Sequence, residues 1–136
     1  MQIQKFRGYL LDRFGISLPE GVELEGEKSL RAMNSELKEF RASTPKGIRA
    51  SRMKGRFPKP TTSFIQLFGN LAEKNTVDVS REDALSFLLG RDLETSTPCE
   101  RGYVVVAYKK AVLGIGFFRE GRIENMIPKC RRIIQG

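Results

Sequence analysis

The stretch from Arg101 to Arg132 restricts the fold more than any other part of the chain. Residues 102–108, Gly-Tyr-Val-Val-Val-Ala-Tyr, are rich in β-branched and aromatic side chains and read as a strand. Lys109-Lys110 makes a tight basic turn, and a second strand contains Leu113, Gly114, Ile115, Gly116 and Phe117. A turn at Gly121-Arg122 leads to Asn125-Met126-Ile127-Pro128-Lys129 and the pair Arg131-Arg132. Glycine inside a strand permits a bend or the close approach of another backbone. This alternation of small and aromatic residues therefore predicts a curved sheet that ends in a fixed Pro-Lys corner beside positive charge.

The remainder must fit around that sheet. With 136 residues, 40% of them hydrophobic, the chain can bury one ordinary core or one small domain with an N-terminal extension. Phe6, Leu10 and Phe14 recur every four residues and predict a short helix stopped by Gly15. Val22 and Leu24 belong to a short strand, Ser29 to Met33 to another, and Asn34 or Ser35 is placed to cap a brief helix through Phe40. Ile48 to Met53 alternates as a strand with an arginine on each face. Residues 55–60, with Pro58 and Pro60, cannot continue a central strand and read as an exposed loop. Thr61 or Thr62 caps a helix whose apolar stripe is Phe64, Ile65, Phe68, Leu71 and Ala72, interrupted by Gly69. Val77-Asp78-Val79 is a short strand, and Ser80 opens a helix that buries Ala84, Leu85, Leu88 and Leu89 and ends at Gly90.

Charge is uneven. The formal net charge is +8, yet residues 41–60 hold Arg41, Lys46, Arg49, Arg52, Lys54, Arg56 and Lys59 without one acid. Residues 101–136 are also basic, whereas 61–100 are acidic. Two basic regions separated by an acidic one suit a polyanion, whose phosphates shed counterions when neutralised. The competing reading is that these side chains only solvate a surface. Neither basic region forms a strongly amphipathic membrane helix, no apolar run approaches the ~20 residues of a bilayer span, and the start lacks a long apolar signal core. The expected location is the cytoplasm.

The closing segment resembles that of the PUA-like module found C-terminally in RsmF-type ribosomal-RNA cytosine-5 methyltransferases of the NOL1/NOP2/Sun group. Gly102, Tyr103, Leu113, Gly114, Gly116, Asn125, Pro128, Lys129 and Arg132 carry that resemblance. Glu124 departs from it, standing where the family has a basic residue. Gly47, Ile48, Arg49, Lys59, Pro60 and Thr61 match a Gly-Ile/Leu-Arg strand and a Lys-Pro-Thr turn, and Leu88, Gly90 and Leu93 a Leu-x-Gly-x-x-Leu motif. The resemblance implies an α+β fold: a small mixed β-barrel with flanking helices over 45–136, preceded by an N-terminal accessory region over 1–44 with α/β character. The two are expected to pack as one globular unit.

Catalytic chemistry is missing from this reading. There is no glycine-rich loop after a first strand to accommodate a methyl-donor cofactor, and no histidine for acid–base work. Thr97-Pro98-Cys99 invites comparison with a nucleophilic cysteine, but no activating environment is evident. Cys99 and Cys130 are too few for a structural zinc site, and a disulfide between them is disfavoured in a reducing compartment. The chain reads as a binding module without catalytic residue, metal or cofactor.

Its expected ligand is RNA, ribosomal or transfer, in RNA modification or ribosome biogenesis. A separate modification enzyme or a ribosomal particle is the further expected partner. Candidate contacts are Arg49, Arg52, Lys54, Arg56, Phe57, Lys59, Arg91, Asn125, Lys129, Arg131 and Arg132. Arginine's planar donors suit phosphates and base edges, and Phe57 is a candidate for base stacking. Arg91 either lines a groove beside its helix or complements that helix's dipole. Tyr103 and Tyr108 are five residues apart and so face opposite sides of the sheet; one can stack on a base, or both can close the core. The alternative function is a protein-interaction scaffold whose charge serves solubility.

Overall fold

A computed structural model describes residues 3–26, 29–34, 48–54 and 57–129, and at 33–34, 52–54 and 57–58 the backbone alone. The first helix, α1 (Ile3–Phe14), forms on the predicted spacing: Phe6, Leu10 and Phe14 share one face and are fully buried. It stops at Gly15, which adopts φ +69°, a left-handed conformation that glycine enters without a Cβ penalty. Strands β1 (Val22–Glu25), β2 (Arg31–Asn34) and β3 (Ile48–Arg49) then make an antiparallel sheet in that order. Leu24 and Ala32 turn inward, and Ile48 packs against the same core. Asn34 ends β2, while the helix expected to follow it through Phe40 lies outside the described residues.

The strand expected from Ile48 to Met53 is interrupted at Ala50. The Ala50 and Ser51 amides both donate to the Leu30 carbonyl, at 2.7 and 3.4 Å, and the chain changes partner there. Strand β4 (Ser51–Lys54) pairs with β5 (Phe57–Pro60) in a separate two-stranded ribbon. This corrects the reading of 57–60 as loop. Pro60 lies opposite Ser51 and Pro58 opposite Met53, alternating with Lys59 opposite Arg52. The Thr61 amide donates to the Ala50 carbonyl at 3.0 Å, so the odd-numbered amides face β4. Both prolines therefore occupy positions where the ladder needs no donor, which is how an edge strand tolerates them.

Helix α2 (Thr62–Phe68) is capped by Thr61, whose hydroxyl accepts from the Phe64 amide at 3.2 Å. It is shorter than its apolar stripe predicts, because Gly69 ends it and Gly69–Leu71 continues as a 3-10 turn. Phe64 and Ile65 are buried, but Leu71 is left exposed. A Cβ on Gly69 would stand 3.1 Å from Val112 Cγ1, so this glycine lets the helix end settle on the following sheet.

That sheet comprises β6 (Thr76–Asp78), β7 (Leu93–Glu94), β8 (Gly102–Tyr108), β9 (Ala111–Arg119) and β10 (Arg122–Asn125), in the order β6-β8-β9-β10-β7. Only β6–β8 is parallel, so the sheet is mixed, and it curls into a half-barrel with β6 and β7 at its edges. Leu113 is the extra residue of a bulge in β9, since Val106 pairs with Gly114 and Ala107 with Val112. The glycines of β9 admit neighbours: a Cβ on Gly114 would lie 2.9 Å from Ile127 Cγ1, and one on Gly116 would collide with Ile123 Cγ2.

Both faces of the sheet are covered. Tyr103, Val105 and Ile115 join the core made by α1, α2 and the first sheet. Val104, Val106, Ile123 and Ile127 pack with Phe87 of α3 (Arg81–Leu88) on the other side. Ser80 caps α3 as expected, accepting from the Asp83 amide at 3.2 Å. The buried side of α3 differs from expectation: Ala84 and Phe87 point inward, and Leu85 is 52% exposed. An eight-residue helix presents only about two turns to a sheet, and here the i, i+3 pair occupies them. Tyr103 is buried with its ring edge-on to Phe117 at 5.2 Å, which removes it as a stacking surface.

Arg13 ties α1 to this assembly. Its guanidinium donates to the carbonyls of Glu100, Arg101 and Tyr103 at 2.6, 3.2 and 2.7 Å. The Asn75 amide returns a bond to the Arg13 carbonyl at 2.6 Å.

Candidate nucleic-acid interface

The end of α3 is built as a platform. Leu89 caps the helix, Gly90 takes φ +96°, its amide donates to the Phe87 carbonyl at 2.9 Å, and the Arg91 amide donates to the Ser86 carbonyl at 3.0 Å. That pair of bonds is a Schellman motif, for which a left-handed glycine after the cap is the usual solution. Arg91 is thus anchored by its own amide two residues past the helix cap, and its side chain is exposed.

A second anchor comes from β10. Asn125 donates its two amide hydrogens to the carbonyls of Phe87 (2.7 Å) and Arg91 (3.0 Å), and its side-chain oxygen accepts from the Ile127 amide (2.9 Å). The Asn125 backbone amide donates to Asp92 Oδ1 at 2.8 Å, while Asp92 Oδ2 holds Arg122 Nη2 at 2.8 Å. Asp92 raises the affinity of the Arg122 guanidinium for its proton, first through the hydrogen bond and then through its charge. The loop after α3, the end of β10 and the corner at 125–128 are therefore one hydrogen-bonded unit, with Arg91 and Lys129 exposed on it.

This arrangement gives the side chain of Asn125, one of the candidate contacts, partners within the protein. Its side chain is buried, and its donors and acceptor are directed into the protein. In the structure it positions Arg91 and the 125–128 corner. The signal in the sequence was the Asn-x-x-Pro pattern, which cannot by itself distinguish a contact from a brace.

A second basic surface lies on the strands before α2. Arg49 of β3 is directly opposite Arg31 of β2, and both are exposed. Across the β4–β5 ribbon, Arg52 is directly opposite Lys59, which is half-buried. Directly opposed positions such as Arg31 and Arg49 project to the same side, where like charges destabilise the pair. Glu25, opposite Arg31 on its other flank, offsets part of that charge. Sequence reasoning named Arg49, Arg52 and Lys59 but missed Arg31. Its alternation with buried Ala32 marks it as outward, yet only the register puts it beside Arg49.

Lys54 and Phe57 face each other in the ladder by backbone register, and Arg56, Arg131 and Arg132 lie outside the described residues. Cys99 is a free thiol in a loop, and burial pushes it above the ordinary thiol range against the opposing pull of Arg13. That is the reverse of what activates a nucleophilic cysteine. Among the described residues no group of His, Cys, Asp or Glu is arranged to hold a metal ion, and no helix is long and apolar enough to cross a membrane.

Comparison with known proteins bears on the same region. Residues 74–133 match the family model of the methyltransferase RsmF PUA domain, a span that includes Arg91, Asn125 and Lys129. A ribosomal RNA small subunit methyltransferase F of Shewanella sp. is 29% identical over 135 residues, covering 94% of this chain and 28% of the relative. Proteins of the same name from Psychromonas ingrahamii and Vibrio atlanticus are 31% and 37% identical over 72 and 57 residues. Those alignments cover 52% and 42% of this chain, and 15% and 12% of the relatives. The chain thus spans less than a third of the length of these curated relatives. It carries a PUA-like module that resembles the one in RsmF-type enzymes.

Proposed function

We propose that this chain, resembling the PUA domain of RsmF-type methyltransferases over 74–133, is an RNA-binding module that recognises ribosomal or transfer RNA. The observation that carries the reading is the braced corner within that span, where Asn125 fixes the backbone from which Arg91 projects and leads into the turn bearing Lys129. A rigidly held arginine loses less freedom on meeting a phosphate than one on a loose loop, and its planar donors suit that ligand. The cross-strand pairs Arg31/Arg49 and Arg52/Lys59 extend the reading to the strands before α2.

On this reading residues 1–44 and 45–136 act as one unit in the cytoplasm, and chemistry on the RNA belongs to a separate modification enzyme or a ribosomal particle. The module then supplies substrate recognition without a catalytic residue of its own. A second reading, a protein-docking scaffold, rests on Leu11 of α1. This residue is 52% exposed beside a shallow cavity of about 190 Å³ lined by Arg7, Leu10, Ile16 and Leu18.

Binding to ribosomal and transfer RNA fragments between roughly 50 and 300 mM salt separates the two. The expected result is affinity that falls steeply with salt, prefers one RNA over an equally charged competitor, and weakens in an Arg91→Ala/Lys129→Ala variant. Binding no better than to a generic polyanion, or a variant equal to the parent, overturns the RNA reading in favour of the scaffold.

A further inference from the structure

Two tight turns join the long strands of the half-barrel, and they meet the same geometry with different residues. Between β9 and β10, Arg119 pairs with Arg122, and the two turn residues Glu120 and Gly121 have φ +49° and +78°. Between β8 and β9, Tyr108 pairs with Ala111, and the two turn residues Lys109 and Lys110 have φ +46° and +68°. Positive φ at both central positions is the mark of a type I′ turn, whose twist matches that of the flanking strands. Asn-Gly and Asp-Gly fill such turns best, because a Cβ in the left-handed region crowds the backbone. The first turn places glycine at its second position. The other carries lysine at both, the less favourable choice at each.

The lysines are also presented outward. Both are exposed at the tip of the hairpin, and Lys109 Nζ lies 5.5 Å from the ring centre of half-buried Tyr108. By register Asp78 is the acid placed at this end of β8, opposite Ala107. The braced corner runs toward this tip: the Met126 amide donates to the Ile115 carbonyl at 3.2 Å, and a Cβ on Gly114 would lie 2.9 Å from Ile127 Cγ1. Asn125 pairs with Gly116, five residues along β9 from Ala111, which at about 3.3 Å per residue is roughly 17 Å away. Adverse backbone conformations in non-glycine residues persist where the surroundings or the function hold them.

We propose that the Lys109-Lys110 tip is a second phosphate-binding point, clamping the RNA backbone along β9 from the corner that carries Arg91 and Lys129. The inference rests on the RNA-binding reading above and deepens it. It gives the ligand a footprint: the RNA must run along β9 from the corner held by Asn125 to the β8–β9 turn. Lysine suits such a point, being a compact charge on a flexible stem that attracts phosphate without demanding a planar partner.

The turn supplies its own discriminating variant. Lys109→Asn/Lys110→Gly removes both charges while installing the pair that type I′ geometry favours, so it should fold at least as stably as the parent. Its affinity for a ribosomal RNA fragment should fall about 25- to 60-fold at roughly 0.1 M salt, with a salt slope shallower by about 1.4–1.8, as expected for two lost phosphate contacts. Lys109→Arg/Lys110→Arg, keeping charge, should bind as the parent does. If the parent binds with steep salt dependence and the Asn-Gly variant matches it, this inference fails while the RNA-binding reading stands. If the parent itself binds no RNA, the RNA-binding reading fails and takes the inference with it. Loss of melting temperature in the Asn-Gly variant would overturn the conformational premise. A charge-dependent loss seen on phosphatidylserine vesicles and absent on RNA would overturn the assigned ligand.

Discussion

Replacing Asn125 tests whether the braced corner is held as the structure shows. Its side chain makes three hydrogen bonds, two donated to the Phe87 and Arg91 carbonyls and one accepted from the Ile127 amide. Asn125→Ala removes all three, at about 1 kcal/mol each. The Phe87 carbonyl keeps its bond from the Gly90 amide, and Arg91 is exposed enough for water to reach its carbonyl. The expected loss is therefore about 3 kcal/mol, a fall in melting temperature of roughly 8–15 °C for a domain of this size. Asn125→Asp separates geometry from volume. It retains an acceptor for Ile127 but turns the two donated bonds into contacts between a carboxylate oxygen and carbonyls, beside the Asp92 carboxylate. That environment favours the protonated form, so the folded state binds the proton more tightly than the unfolded chain does. Its stability must then fall as pH rises through the carboxylate range. Circular-dichroism melts of parent and both variants at pH 4 and pH 7 make the measurement. An Asn125→Ala protein melting within about 2 °C of the parent would refute the hydrogen-bonded unit, as would an Asn125→Asp protein equally stable at both pH values.

Gly116→Ala should cost about 2–3 kcal/mol in chemical denaturation, because the added methyl collides with Ile123 Cγ2 and lies 3.1 Å from the Glu124 carbonyl; an unchanged midpoint would show that β9 and β10 are farther apart. In a Cys130→Ser background, Cys99 should alkylate with iodoacetamide at pH 8 more slowly than a free cysteine peptide, since burial raises its titration and leaves less thiolate. Urea should restore the rate, and a native rate equal to the peptide's would contradict the burial. Arg49→Gln should leave stability equal or raised by a few tenths of a kcal/mol at low salt by relieving its repulsion with Arg31, an effect that ~0.3 M salt erases. A clear destabilisation would show that the cross-strand pair is not repulsive.

What the sequence determined by itself is local. Four-residue spacing specified α1 and its buried face, Thr61 and Ser80 announced their helices through side-chain caps, and the valine-rich run before Lys109-Lys110 specified the longest hairpin. These signals act within a few residues and survive in any packing. The candidate cations Arg49, Arg91 and Lys129 were legible as exposed charge for the same reason. Tertiary structure decided what depends on residues far apart. Ala50 looked like the middle of a strand until the Leu30 carbonyl claimed its amide. Pro58 and Pro60 looked like loop because a sequence does not say which edge of a ribbon faces outward. Leu85 lost its expected place to Phe87 when only two turns of α3 met the sheet. Asn125 was legible as part of a pattern, but its place as a brace required carbonyls more than thirty residues away. Periodicity tells a side chain which face of its own element it occupies. Which polar group it meets across the fold is set by strand register and helix ends, and those are fixed only when the whole chain has packed.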